Sequence, residues 1–182
     1  MDLRIEKTKT NIVNAFILIR KTKPLEKITI KELCELAKIN KSTFYCHYTD
    51  IFDLADTIET DFVNSVILKL STPEDILENT EAFAFELFDA MSEREELLHI
   101  LFGSNKFETF AEKLEIRIKE LVFAKYPMYK DDPVKNVQMT FCIQGANITF
   151  LKSRQYGDEV VIPTIVEMVA TISKLFYKSE KI

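Results

Sequence analysis

At 182 residues, with 47% apolar and 29% charged residues, the chain fits one globular domain or a small head joined to a larger body. Its longest apolar runs, such as Phe16 to Ile19, fall far short of a membrane span, and the charged start MDLRIEKTKTN has no apolar leader core. A membrane or secreted protein is therefore not expected. The net charge of −5 argues against nucleic acid only until its distribution is read. Residues 1–50 hold ten Lys/Arg against six Asp/Glu, a balance of +4, so residues 51–182 carry −9. Phosphate binding depends on local potential, and a basic head on an acidic body is compatible with it. The cysteines, Cys34, Cys46 and Cys142, are widely spaced and odd in number, as expected of reduced thiols in a cytoplasmic protein.

In chain order, the spacing of Ile5, Ile12, Phe16 and Ile19 predicts a helix from about Leu3 to Lys21. A basic loop with Pro24 follows. Thr29 and Glu32 form a capping box, T-x-x-E, opening a helix that buries Leu33, Leu36 and Ala37. Asn40 is the N-cap of a third helix with Phe44 and Tyr48 turned to the core, and Asp50 caps a long fourth. Thr72 and Pro73 are an N-cap and N1 pair opening a helix to about Met91. Ser92 with Glu95 reads as a second capping box, and Gly103 as a stop. A helix over Ser104 to Lys125 ends at the Tyr126–Pro133 loop. Asp132 and Pro133 then start a helix reaching about Tyr156, and the last runs from about Glu159 to Lys178. The expectation is an all-α chain of about nine helices. Its parts are a three-helix helix-turn-helix head over 1–49, a connecting helix over 50–71 and a helical body over 72–182.

The last two helices carry more apolar surface than one neighbour covers. Val137, Phe141, Ile148 and Leu151 mark one face of the penultimate helix, and Met139, Ile143, Ala146 and Phe150 another. Gly145 and Ala146 would let a neighbouring backbone come close. In the final helix Ile162, Ile165, Val169, Ile172 and Phe176 fall at steps of three and four, a seam for nearly parallel or antiparallel packing. Two such helices meeting their copies across a two-fold axis would make a four-helix dimer interface. The alternative is an intramolecular core.

The stretch Thr29 through Leu54 reads T-x-x-x-L-x-x-L-A, then S-T-F-Y-x-H-Y, then a polar pair and D-L. It resembles the tetracycline-repressor (TetR) family of transcriptional regulators over about the first 50 residues. The resemblance implies an all-helical homodimer on a palindromic operator, usually a repressor released by a small ligand. By matching motif positions it implies base-edge and groove contacts from Lys41, Ser42, Thr43 and Tyr45. Thr29, His47 and Tyr48 would lie near phosphate, although Tyr48 also falls on the core side with Phe44. Elementary chemistry agrees in kind: residues opening a recognition helix reach furthest into the groove, lysine can meet guanine or phosphate, and hydroxyls serve bases or backbone. The chain departs from the family twice. Lys38 stands where the turn commonly has glycine, and Ile51 where many members place a phosphate-binding lysine. Backbone grip is then either weaker or supplied by Lys23, Lys27 and Lys31.

The resemblance also implies a cavity in the body. Phe83, Phe88, Met91, Phe107, Phe110, Phe123, Met139 and Cys142 lie on the helices that wall it in relatives, and Gln144 and Asn147 could orient a small apolar or aromatic effector there. Core filling is the alternative for each. No metal or cofactor is expected: Cys46, His47 and Cys34 lack the spacing of a four-ligand zinc site, and the chain has two histidines. Neither Cys142 nor Cys46 has a base and an orienting group, and His99 reads as a helix-face residue, so no enzyme is expected. The competing reading is a helical adaptor or co-activator whose body binds a protein partner.

Overall fold

Helical punctuation along the sequence becomes nine α-helices and no strand among the described residues of the computed structural model. Those are 3–72, 75–103 and 107–177, with backbone only at 107 and 175–177. The helices are α1 (Leu3–Arg20), α2 (Ile30–Ala37), α3 (Lys41–Tyr45), α4 (Ile51–Ile67), α5 (Thr80–Ser92), α6 (Glu95–Phe102), α7 (Phe107–Lys125), α8 (Pro133–Ser153) and α9 (Asp158–Tyr177). Single 3-10 turns occupy Leu25–Lys27, Pro127–Tyr129 and Arg154–Tyr156. No helix of the described residues is long and apolar enough to cross a membrane.

The chain divides into two compact units, Met1–Asp61 with Glu96–Gly103, and Phe62–Glu95 with Ser104–Ile182. The division thus falls inside α4, and most of α6 belongs with the head. Lys21 pairs with Glu96 at 2.7 Å, and Arg20 donates to the carbonyl of Leu101 at 3.1 Å. In the head, α1 lies against α2 and α2 against α3. Ile12, Phe16, Leu33, Phe44 and Leu54 are almost wholly excluded from water. Each such side chain contributes about 1.5–3 kcal/mol by burial. Ile5 and Leu36, expected in this core, are exposed; Cys34 joins the expected Leu33 and Ala37 on the inner face of α2.

In the body, α5 packs on α9, α7 on α8, and α8 on α9. Its caps follow the sequence in part. Asp132 accepts from the amides of Val134 and Lys135, at 2.8 and 3.1 Å, with Pro133 at the first helical position. Gly103 and Gly157 take positive φ, 54° and 82°, at the ends of α6 and of the turn after α8. Two expected starts are corrected. The expected Thr72-Pro73 start gives way to a helix beginning at Thr80, Pro73 itself lying outside the described residues. Just before it, Asp75 and Glu78 reach across to Lys125, at 2.8 and 2.7 Å. Ser92 ends α5, and no capping box forms with Glu95. Its hydroxyl donates to Asp158, and Arg154 binds Asp158 and Glu95, so tertiary ion pairs take the groups the local motif would have used.

Candidate nucleic-acid interface

The turn between α2 and α3 is three residues, 38–40, and each makes a specific contribution. Lys38 takes the left-handed conformation, φ 56° and ψ 45°, as its place in the turn requires. The amide of Ile39 donates to the carbonyl of Cys34 at 3.0 Å, closing α2 in a Schellman arrangement. A side chain with a Cβ pays a strain of about 1 kcal/mol here that glycine would avoid. At the start of α2, the hydroxyl oxygen of Thr29 accepts from the amide of Glu32 at 3.3 Å. The return half of the box is not made, because Glu32 pairs with Lys23 at 2.6 Å.

Asn40 organises the opening of α3. Its Oδ1 accepts from the amide of Thr43 at 2.7 Å and from the hydroxyls of Ser42 and Thr43 at 2.7 and 2.8 Å. Both hydroxyl protons are thereby directed inward, and the oxygens offer lone pairs outward. Oriented so, Ser42 and Thr43 suit donors such as the amino groups of adenine or cytosine better than phosphate oxygens. Thr29 is the reverse case: its oxygen accepts from Glu32, and its proton has no acceptor among the described residues.

Lys41 and Ser42 are exposed, Thr43 is half-buried, and the ring of Tyr45 is 56% exposed beside the buried ring of Phe44. Lys27, Lys38 and Lys41 are exposed and make no ion pair among the described residues. Lys23 and Lys31 are engaged with Glu32 and Glu35. His47 is half-buried next to Tyr48. Tyr48 is 7% exposed and packs against Phe44, so of its two expected roles it takes the core one. Burial pushes its hydroxyl above the ordinary tyrosine value, and the carboxylates of Asp61 and Asp53 push the same way. Ile51 is buried as well; the exposed neighbour is Phe52. Burial raises the Cys34 thiol, with the Lys41 ammonium opposing.

No protein-family model matches the chain, and comparison with curated proteins finds no match.

The body holds a cavity of about 80 Å³ among α5, α7, α8 and α9. Phe88, Met139, Cys142 and Asn147 line it, as does Phe83. Met91 and Phe110 are fully buried core side chains outside its wall, and Phe123 is half-buried elsewhere. The side chain of Phe107 lies outside the described residues. Gln144 is turned away from the cavity and donates to Glu115 at 2.7 Å. In its place stands Gln138, with Thr80 and Ser173 as further polar lining. The i, i+4 ladder 138–142–146 beside 139–143–147 is the sequence signal that would have found it.

Of the seam residues, Ile162 and Ile165 are buried within the protomer's own body. Val169 and Ile172 are half-buried, and the side chain of Phe176 lies outside the described residues. The exposed apolar strip is displaced towards α8, where Val134, Val137 and Phe141 are all more than 60% exposed, with Met168 of α9 at 55%. Gly145 is exposed on the same side, and a Cβ there would meet nothing within 4 Å. Ile148 is half-buried. An apolar groove lined by Phe141, Gly145, Ile165, Met168 and Ile172 runs between the two helices. Among the described residues, no group of three or more His, Cys, Asp or Glu could hold a metal ion.

Proposed function

We propose that the chain is a DNA-binding transcriptional regulator of the tetracycline-repressor kind, a cytoplasmic homodimer that acts as a repressor on a palindromic operator. One observation carries the reading. A capped helix, a three-residue turn and a second short helix leave Lys41, Ser42 and Tyr45 exposed and Thr43 half-buried, on a head whose core is Ile12, Phe16, Leu33, Phe44 and Leu54. The basic balance of residues 1–50 supplies attraction to phosphate, and exposed Lys27, Lys38 and Lys41 are free to act on it. A single head of this size has few contacts. A second copy, joined through the exposed strip of Val137, Phe141 and Met168, would bring two recognition helices to half-sites about one DNA turn apart, roughly 34–36 Å. An effector that prefers one body conformation then lowers operator affinity by linkage.

The test is a footprint on DNA upstream of the chain's own coding sequence, combined with sedimentation of the free protein. Two protected half-sites and a dimer are expected. A monomer with no preference for any duplex over random competitor overturns the reading. If that monomer's exposed strip captured another protein, the adaptor function would take its place.

A further inference from the structure

We infer that the cavity in the body takes a small, electrically neutral molecule with an apolar frame and at least one hydrogen-bond donor. This deepens the effector part of the proposed function and rests on that reading only for its regulatory consequence. Among the described residues the wall contains no Asp, Glu, Lys or Arg, so a charged guest would lose hydration with no counter-charge from them to replace it. Two carboxamides in the wall supply the specificity. Asn147 is 1% exposed; its Nδ2 donates to the carbonyl of Ile143 at 2.7 Å, which fixes the nitrogen end. Its Oδ1 is buried and has no hydrogen-bond partner among the described residues, and the same is true of Gln138 Oε1. These are acceptors removed from bulk water, in a wall otherwise made by Phe83, Phe88, Leu87 and Ile118. Both oxygens present almost no accessible surface, so a guest reaches them through a small adjustment of the side chains over them. One that donates to either restores a lost hydrogen bond, whereas a hydrocarbon of equal volume leaves the loss in place.

Size narrows the class. The cavity is about 80 Å³ and adjoins a recess of about 190 Å³ with which it shares Leu77, Thr80 and Ser173. A buried apolar cavity of about 150 Å³ accommodates benzene. A single-ring guest therefore fills the cavity and extends towards the recess, where the exposed Glu78, Glu81 and Lys174 mark the edge open to solvent.

Phenol and toluene separate the donor from the ring. Dissociation constants for each, from ligand-observed NMR on the full chain, should favour phenol by about tenfold. In Asn147→Leu that ratio should fall towards one while toluene binding is kept or improved. Gln138→Leu, at a half-buried position, should reduce the ratio in part, and it carries the test if the first variant fails to fold. Equal affinities in the unaltered chain, a preference for toluene, or no saturable binding of either compound overturns the inference. No DNA enters this measurement, so its failure and the failure of the operator footprint are distinguishable.

Discussion

Asn40 in the head and Asn147 in the body carry the same carboxamide, and the two regions use it in opposite ways. Asn40 Oδ1 accepts three hydrogen bonds, from one amide and two hydroxyls, and is saturated. Asn147 Oδ1 accepts none from the described residues, although it is buried. The head therefore consumes its internal polar capacity in fixing a short helix, and its distinctive side chains, Lys41 and Tyr45, face solvent. The body keeps polar capacity inside, within an apolar wall. A rigid presenting surface and an interior with unmet acceptors are different physical devices. The first suits recognition of a large rigid partner, and the second suits capture of a small molecule.

The sharpest test of that contrast is on the body's satisfied polar network. Lys119 approaches Glu115 at 2.7 Å, Thr140 donates to the same carboxylate at 2.5 Å, and Gln144 at 2.7 Å, with both charged side chains largely buried. Glu115→Leu leaves the ammonium of Lys119 without its counter-charge, held by the Thr140 hydroxyl at 2.8 Å, and should cost about 3 kcal/mol of stability in urea unfolding. A neutral result would show that the body's inward polar groups are not structural. The same carboxylate also gives a pH signature. Burial pushes Glu115 up, but hydrogen bonds from Lys119, Thr140 and Gln144 outweigh it and leave the group below its ordinary 4.5. Its contribution is complete above that value and is lost as pH falls through the lowered folded one, so Glu115→Leu should flatten the acid limb of the stability curve.

On the head, Lys41→Ala and Tyr45→Ala should each weaken specific DNA binding by about 1–3 kcal/mol, measured by fluorescence anisotropy. Their unfolding midpoints should stay within about 0.5 kcal/mol of the parent. Unaltered affinity in both would remove the outward face of α3 from any role in reading bases. Smaller and opposite effects are expected in the turn. Asn40→Ala should lose about 1 kcal/mol with its cap, and Lys38→Gly should gain about 1 kcal/mol by relieving the left-handed strain. Both are read from thermal unfolding, and equal signs would contradict the turn geometry. The mildest test is chemical. Cys46 is exposed, whereas Cys34 is buried and Cys142 half-buried, and burial raises both of those thiols. Alkylation mapped by mass spectrometry should modify Cys46 first; Cys142 reacting before it would mean that the body's cavity wall is open.

Local chemistry determined much of the head in advance, although Ile5 and Leu36 are exposed and Glu32 turns to Lys23. Thr29, Asn40 and Asp50 cap the helices they precede, Phe44 and Tyr48 turn inward, and Lys41 and Tyr45 turn outward. Each of these depends on residues within four positions, and caps and helical periodicity act at that range. The helix count was legible for the same reason. What only the tertiary structure decided lies at longer separation. Ser92 goes to Asp158 and Arg154 instead of capping, α5 starts at Thr80, and Gln144 turns to Glu115 while Gln138 and Asn147 line the cavity. Of the expected seam, Ile162 and Ile165 are buried within the protomer, while Phe141 and Gly145 stay exposed beside Val137. An apolar or amide side chain on a helix has several faces open to it, and which one it takes depends on neighbours that the local pattern does not name.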